Sequence, residues 1–124
     1  MRLYHYTRRE NVDGIRQLGL VARPGAFAEL IDGQLAAVWL TTSEDWSLAE
    51  QTQPGRATAR VVLELSVAET HLWQWSRLGP QLCAMAGGDL HQLSRYNLER
   101  PGYVEWWCYL RNIAPQRVGD VEHR

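Results

Sequence analysis

The feature that most constrains this chain is a strict alternation between Thr58 and Val67. Val61, Leu63, Leu65 and Val67 point one way, and Arg60, Val62, Glu64 and Ser66 point the other. A period of two is a strand with one face in a core and one face toward solvent. A second stretch of the same kind closes the chain, Tyr103 to Leu110, running on into Arg111 to Pro115. It is aromatic and β-prone almost throughout, which predicts a strand. There the alternation places Val104, Trp106, Cys108 and Leu110 on an apolar face. Tyr103, Glu105, Trp107 and Tyr109 fall on the other. A carboxylate walled by aromatic rings resists ionisation unless a cation or donor meets it, so Glu105 is a candidate functional group. The competing reading is an edge-strand acid with its head in water.

The remaining elements are shorter. Arg2 to Thr7 predicts a first strand with Leu3, His5 and Thr7 on one face, and Thr7 placed to cap the first helix. Val12, Ile15 and Leu18 make an inward stripe of that helix, which is short, contains Gly14 and closes at Gly19-Leu20. Val21 to Gly33 reads as a loop with one helical turn at Phe27 to Ile31. Ala36 to Thr42 predicts a strand, and Ser43 an N-cap for a helix holding Trp46, Leu48 and Ala49. Ala68 to Leu78 predicts a helix that ends before Pro80, and Asp89 to Leu98 a weak helix or ordered loop. Pro101-Gly102 is a turn, and Arg117 to Val121 a final edge strand. The sum is an α+β fold: an antiparallel-rich β core with short helices, in one domain spanning residues 1–124.

Composition excludes several classes. The formal net charge of −1 demands neither a nucleic-acid backbone nor an anionic membrane as partner, although a local basic groove is compatible with it. No run approaches a membrane span, and the first residues lack a signal-peptide core, so a cytoplasmic protein is expected. Cys83 and Cys108 belong to no metal-spaced pair, and a disulfide between them stays open. His71, His91 and His123 show no metal spacing, so no metal is expected. The six Trp are the surprise, because Trp either fills cores or stacks flat ligands.

Three motifs stand in order along the chain. His5-Tyr6-Thr7 runs into a helix closed by Gly19-Leu20. Trp39 lies on a strand eight residues before Ser47. Glu105 lies in an aromatic strand that continues to Ile113-Ala114. Together they resemble the diphtheria-toxin and poly-ADP-ribose-polymerase branch of the ADP-ribosyltransferase family, with its His, Tyr, Glu signature on three successive strand motifs. Tyr6 stands where that family usually has Gly, and Trp39 where it has Tyr.

The resemblance implies a split antiparallel-rich core and a bacterial, toxin-type enzyme that transfers ADP-ribose from NAD to a protein or nucleic acid. An antitoxin or immunity protein is a further implied partner. NAD splits through an oxocarbenium-like state. Glu105 would be the catalytic anion beside it. Trp39 or Tyr6 would stack on nicotinamide, His5 would hold the adenosine ribose as a neutral imidazole, and Thr7 and Ser47 would offer hydroxyls to the carboxamide. Two rivals stand beside this. One is RNA 2′-phosphotransfer on the same fold, which would need arginines in the cleft, with Arg8, Arg9 and Arg23 close to the first motif. The other is a silent domain that binds a nucleotide or a protein. Without a family in view, His5 reads as a structural histidine, Trp39 as core packing and Ser47 as a solvent-facing helix residue.

Overall fold

A computed structural model describes residues 1–24, 36–85 and 103–124. The side chains of Cys83, Met85 and Tyr103 lie outside that description. So do the helical turn expected at Phe27 to Ile31, the weak helix expected at Asp89 to Leu98 and the Pro101-Gly102 turn. The described residues form an antiparallel sheet of seven strands with three short helices. The strands are β1 (Arg2–Thr7), β2 (Arg23–Pro24), β3 (Ala36–Thr41), β4 (Ala59–Glu64), β5 (Leu72–Gln74), β6 (Trp106–Tyr109) and β7 (Val121–His123). The helices are α1 (Val12–Leu18), α2 (Trp46–Thr52) and α3 (Trp75–Met85). Across the sheet the order is β5-β6-β3-β1-β4-β7, with β2 paired to β3 off this path. No helix among the described residues is long and apolar enough to cross a membrane.

The alternation reads directly into the core. Val61 and Leu63 of β4 join Leu3, Val38, Leu40, Tyr109 and Ile113 in one buried cluster. Val67 falls beyond the strand and is exposed, because β4 ends where its pairing with β1 ends. The opposite face carries two smaller clusters. Trp75, Leu78 and Leu82 of α3 pack there on Trp106 and Cys108, and Tyr4 and Tyr6 pack on Ala49 and Ala57. Cys108 is a free, buried thiol.

Several expectations are corrected. Residues Ala68 to Leu78 do not form one helix: Leu72–Gln74 is an edge strand on β6, and α3 starts at Trp75 and runs through Pro80. The i, i+3, i+7 burial of Trp75, Leu78 and Leu82 outweighs the proline penalty there. Helix α1 is capped at Asn11, after a 3₁₀ turn at Arg9–Asn11, so Thr7 is not its cap; the Thr7 hydroxyl instead accepts from Asn11 Nδ2 at 3.1 Å. Leu18 does not face inward and is 73% exposed, since the seven-residue helix is too short to carry its third apolar position back to the sheet. Helix α2 is capped by Asp45, whose carboxylate accepts from Ser47 N at 2.9 Å, so Ser43 stands outside it. The final edge strand lies at Val121–His123, after a 3₁₀ turn at Pro115–Arg117.

Two of the expected motifs meet. Leu20 and Ile113 exchange both main-chain hydrogen bonds, at 2.9 and 2.8 Å, and so join the end of α1 to the segment after β6. Gly19 makes this contact by adopting φ 79°, and a Cβ there would run into the Ile113 carbonyl oxygen.

Candidate functional site

The site begins where β1 and β3 part. On its other side β1 pairs with β4 in six successive register partners, Arg2↔Glu64 through Thr7↔Ala59. With β3 the only register pair is Tyr4↔Thr41. Met1 and Leu65 exchange both main-chain hydrogen bonds, which sets the phase of the ladder: odd residues of β1 bond toward β4 and even residues toward β3. The main-chain N–H and C=O of Tyr6 therefore point toward β3. A continued ladder would bring them opposite Trp39, but it stops one step short. Beyond that step β3 takes β2 as its neighbour, through Arg23↔Ala37.

A cleft of about 770 Å³ opens at this fork. His5, Tyr6 and Thr7 line it from β1, Ala37, Val38 and Trp39 from β3, and α1 with the Gly19–Val21 turn from the far side. His5 Nδ1 lies 2.9 Å from the Trp39 carbonyl oxygen. A carbonyl only accepts, so Nδ1 carries the proton and donates, which leaves Nε2 as an acceptor. Burial pushes the imidazole below the ordinary histidine range, against a smaller opposing effect of the Trp39 hydrogen bond. The ring is thus neutral near pH 7.

The other expected residues divide. Thr7 borders the cleft. Tyr6 borders it too, but its ring is buried in the cluster on the opposite face of the sheet, where the hydroxyl donates to the Ser43 carbonyl at 2.8 Å. The Tyr6 ring is not available for stacking in the cleft. Trp39 lines the cleft, and its carbonyl accepts from His5 Nδ1. Its half-buried indole contacts Trp75 and Trp106 edge-on, at centroid distances of 5.1 and 6.2 Å. Ser47 is exposed at the start of α2, donating its hydroxyl to Asp45 Oδ1 at 2.6 Å, and is not among the lining residues.

Glu105 is not on a strand. It ends a 3₁₀ turn at Tyr103–Glu105, and β6 starts one residue later. The edge strand β5 reaches β6 only as far as Gln74↔Trp107, so the chain before Trp106 lacks a ladder on that side and turns. Its carbonyl accepts from Thr42 N at 3.0 Å. Glu105 is half-buried and does not line the cleft. The row of Thr42 and Glu105 lies three residues from the row of Trp39 and Cys108, about 10 Å along the strands.

Two features escaped the sequence. The first is Arg56, which borders the cleft together with the expected Arg8 and Arg23, whereas Arg9 does not line it; none of the three lining arginines is ion-paired with a described residue. Arg8 and Arg23 flank the first motif in sequence, but nothing in the Gly55-Arg56-Ala57 loop signals that it returns to the same place. The second is the gap itself, which no residue pattern announces. Among the described residues, no cluster of His, Cys, Asp and Glu is placed to hold a metal. No protein-family model matches the chain, and no curated protein is detectably similar to it.

Proposed function

We propose that the cleft between β1 and β3 binds NAD and that the chain transfers ADP-ribose from it to a macromolecular acceptor. The observation that carries this is the Tyr6 main chain, turned toward β3 where the ladder has ended, beside a neutral His5. A carboxamide presents one donor and one acceptor in a plane, the complement of one peptide N–H and C=O. His5 Nε2 can accept from a ribose hydroxyl, and the Thr7 side chain offers a further hydroxyl. Arg8, Arg23 and Arg56 favour an anionic ligand, as a pyrophosphate is. Glu105 is assigned the role of anion beside the oxocarbenium-like state on the family resemblance alone. The test is calorimetry with NAD, together with nicotinamide release in the presence and absence of cell extract. Binding with release supports the reading. Binding without release in any extract favours a silent nucleotide-binding domain, and no binding rejects the NAD site.

The three arginines favour a second reading, RNA 2′-phosphotransfer in the same cleft. A 2′-phosphorylated oligonucleotide incubated with the protein and NAD separates the two: loss of the 2′-phosphate supports phosphotransfer, and modification of an extract component without it supports ADP-ribosyl transfer.

A further inference from the structure

The structure assigns Arg60 as a positioning residue for the cleft, acting through the Tyr6 side chain on the opposite face of the sheet; the inference rests on the dinucleotide reading above. Arg60 stands directly opposite Tyr6 in the β1–β4 ladder and does not line the cleft. Its side chain is 12% exposed. The guanidinium lies 4.7 Å from the ring centroids of both Tyr4 and Trp46, and Nε donates to Glu122 at 2.7 Å. Nη1 donates to the Glu44 carbonyl at 2.7 Å and to the Tyr6 hydroxyl at 3.1 Å. The same hydroxyl donates to the Ser43 carbonyl, so it both gives and receives, and the Trp46 edge closes on the ring at 5.2 Å. Ser43 and Glu44 belong to the turn after β3. Arg60 thus ties β4, β1 and the end of β3 together at one point.

A side chain held at its far end by two hydrogen bonds and a packed edge has one rotamer, and its Cα has one direction. That direction sets the peptide planes on either side of Tyr6, whose N–H and C=O face the gap. A glycine at this position has no such handle. Tyr6 supplies one, and Arg60 with the Ser43 carbonyl holds it. The ring occupies the back of the sheet, so the bulk added at position 6 leaves the cleft open.

The test uses the full chain labelled with ¹⁵N-Tyr, with ¹⁵N-Phe for the Tyr6→Phe variant. The Tyr4 amide, in register with Thr41, is the internal control. In the free wild type the Tyr4 amide should exchange slowly with solvent and the Tyr6 amide quickly; slow exchange at Tyr6 overturns the inference. Tyr6→Phe and Arg60→Met should each move the residue 6 amide shift and weaken NAD binding about tenfold, the size of one misplaced hydrogen-bonding pair. Arg60→Lys, which keeps the charge and loses the fork, should fall between. A merely structural role predicts lower melting temperatures with unchanged NAD affinity in the folded range, and that result also overturns the inference. If wild type binds no NAD, the dinucleotide reading fails by itself. The clamp is then judged by the residue 6 amide alone, and an unmoved shift in both variants rejects it.

Discussion

The two flanks of β1 are built from the same six residues and have opposite fates. Toward β4 every residue from Arg2 to Thr7 has a register partner. Toward β3 only Tyr4 does. On the closed flank the main chain is spent on the fold, and the side chains that alternate across it set burial and meet behind the sheet, where Arg60 donates to the Tyr6 hydroxyl. On the open flank the peptide groups near Tyr6 are turned toward a cleft, and a side-chain nitrogen, His5 Nδ1, takes the Trp39 carbonyl that a ladder would otherwise have used. A sheet makes a polar, rigid site by stopping its own pairing early, because buried peptide groups need partners and a ligand can supply them.

The largest expected effect breaks the wall of the open flank. Gly19→Ala places a Cβ against the Ile113 carbonyl and 2.9 Å from Pro115 N, at a φ that side chains rarely adopt. We expect a loss of about 4 kcal/mol and a fall in melting temperature of roughly 15 °C, measured by calorimetry. A stability within about 1 kcal/mol of wild type, on the scale of ordinary surface changes, would show that the Leu20–Ile113 bridge does not hold α1 in place.

Next comes the charge on which the proposed transfer depends. Glu105→Gln keeps shape and removes the anion. Nicotinamide release should fall roughly two to three orders of magnitude while NAD affinity changes little. Among the described residues the Glu105 carboxylate makes no hydrogen bond or ion pair, so the melting temperature should hold. An unchanged rate rejects the assignment of Glu105 as the anion beside the oxocarbenium-like state.

A smaller effect sharpens the role of His5. Its folded value lies below the unfolded one, about 6.5 for a free histidine. Above that pH both states are neutral and the contribution is complete. As pH falls below it, the unfolded chain takes a proton first, and stability drops until pH passes below the folded value. For one proton the slope is at most about 1.4 kcal/mol per pH unit. His5→Asn retains a donor near the Trp39 carbonyl and removes the titration, so its melting temperature should lose part of the wild-type decline between pH 7 and 5. Parallel profiles would mean that His5 titrates alike in both states.

The smallest effect belongs to the closed flank. Arg2 Nε donates to Glu64 Oε1 at 3.1 Å on the surface, and that hydrogen bond pushes the guanidinium further up from its already high range. Arg2→Ala should leave the melting temperature unchanged within error, since exposed pairs are screened. A clear loss would mean that the closed ladder depends on its surface charges as well as its six register partners.

Much of the fold is legible in local pattern. Alternation in Thr58 to Val67 and the β-prone runs at Arg2 to Thr7 and Ala36 to Thr42 each yield a strand near the expected bounds. Gly19 marks a helix end because positive φ belongs to glycine wherever the residue sits. The same local reasoning misplaces Leu72–Gln74, whose strand character comes from its neighbour β6, and carries the β6 alternation too far back, to Glu105. For the site, the sequence by itself determines the ingredients: His5 beside Tyr6 and Thr7 on one short strand, and arginines scattered before and after it. Only the tertiary structure decides that β1 and β3 part after Tyr4↔Thr41, that Arg56 returns to the cleft mouth, that the Tyr6 ring lies behind the sheet, and that His5 protonates Nδ1. Periodicity is a property of neighbouring residues, whereas where a ladder stops depends on which strand competes for its edge, and that competitor, β2, is chosen by the whole chain at once.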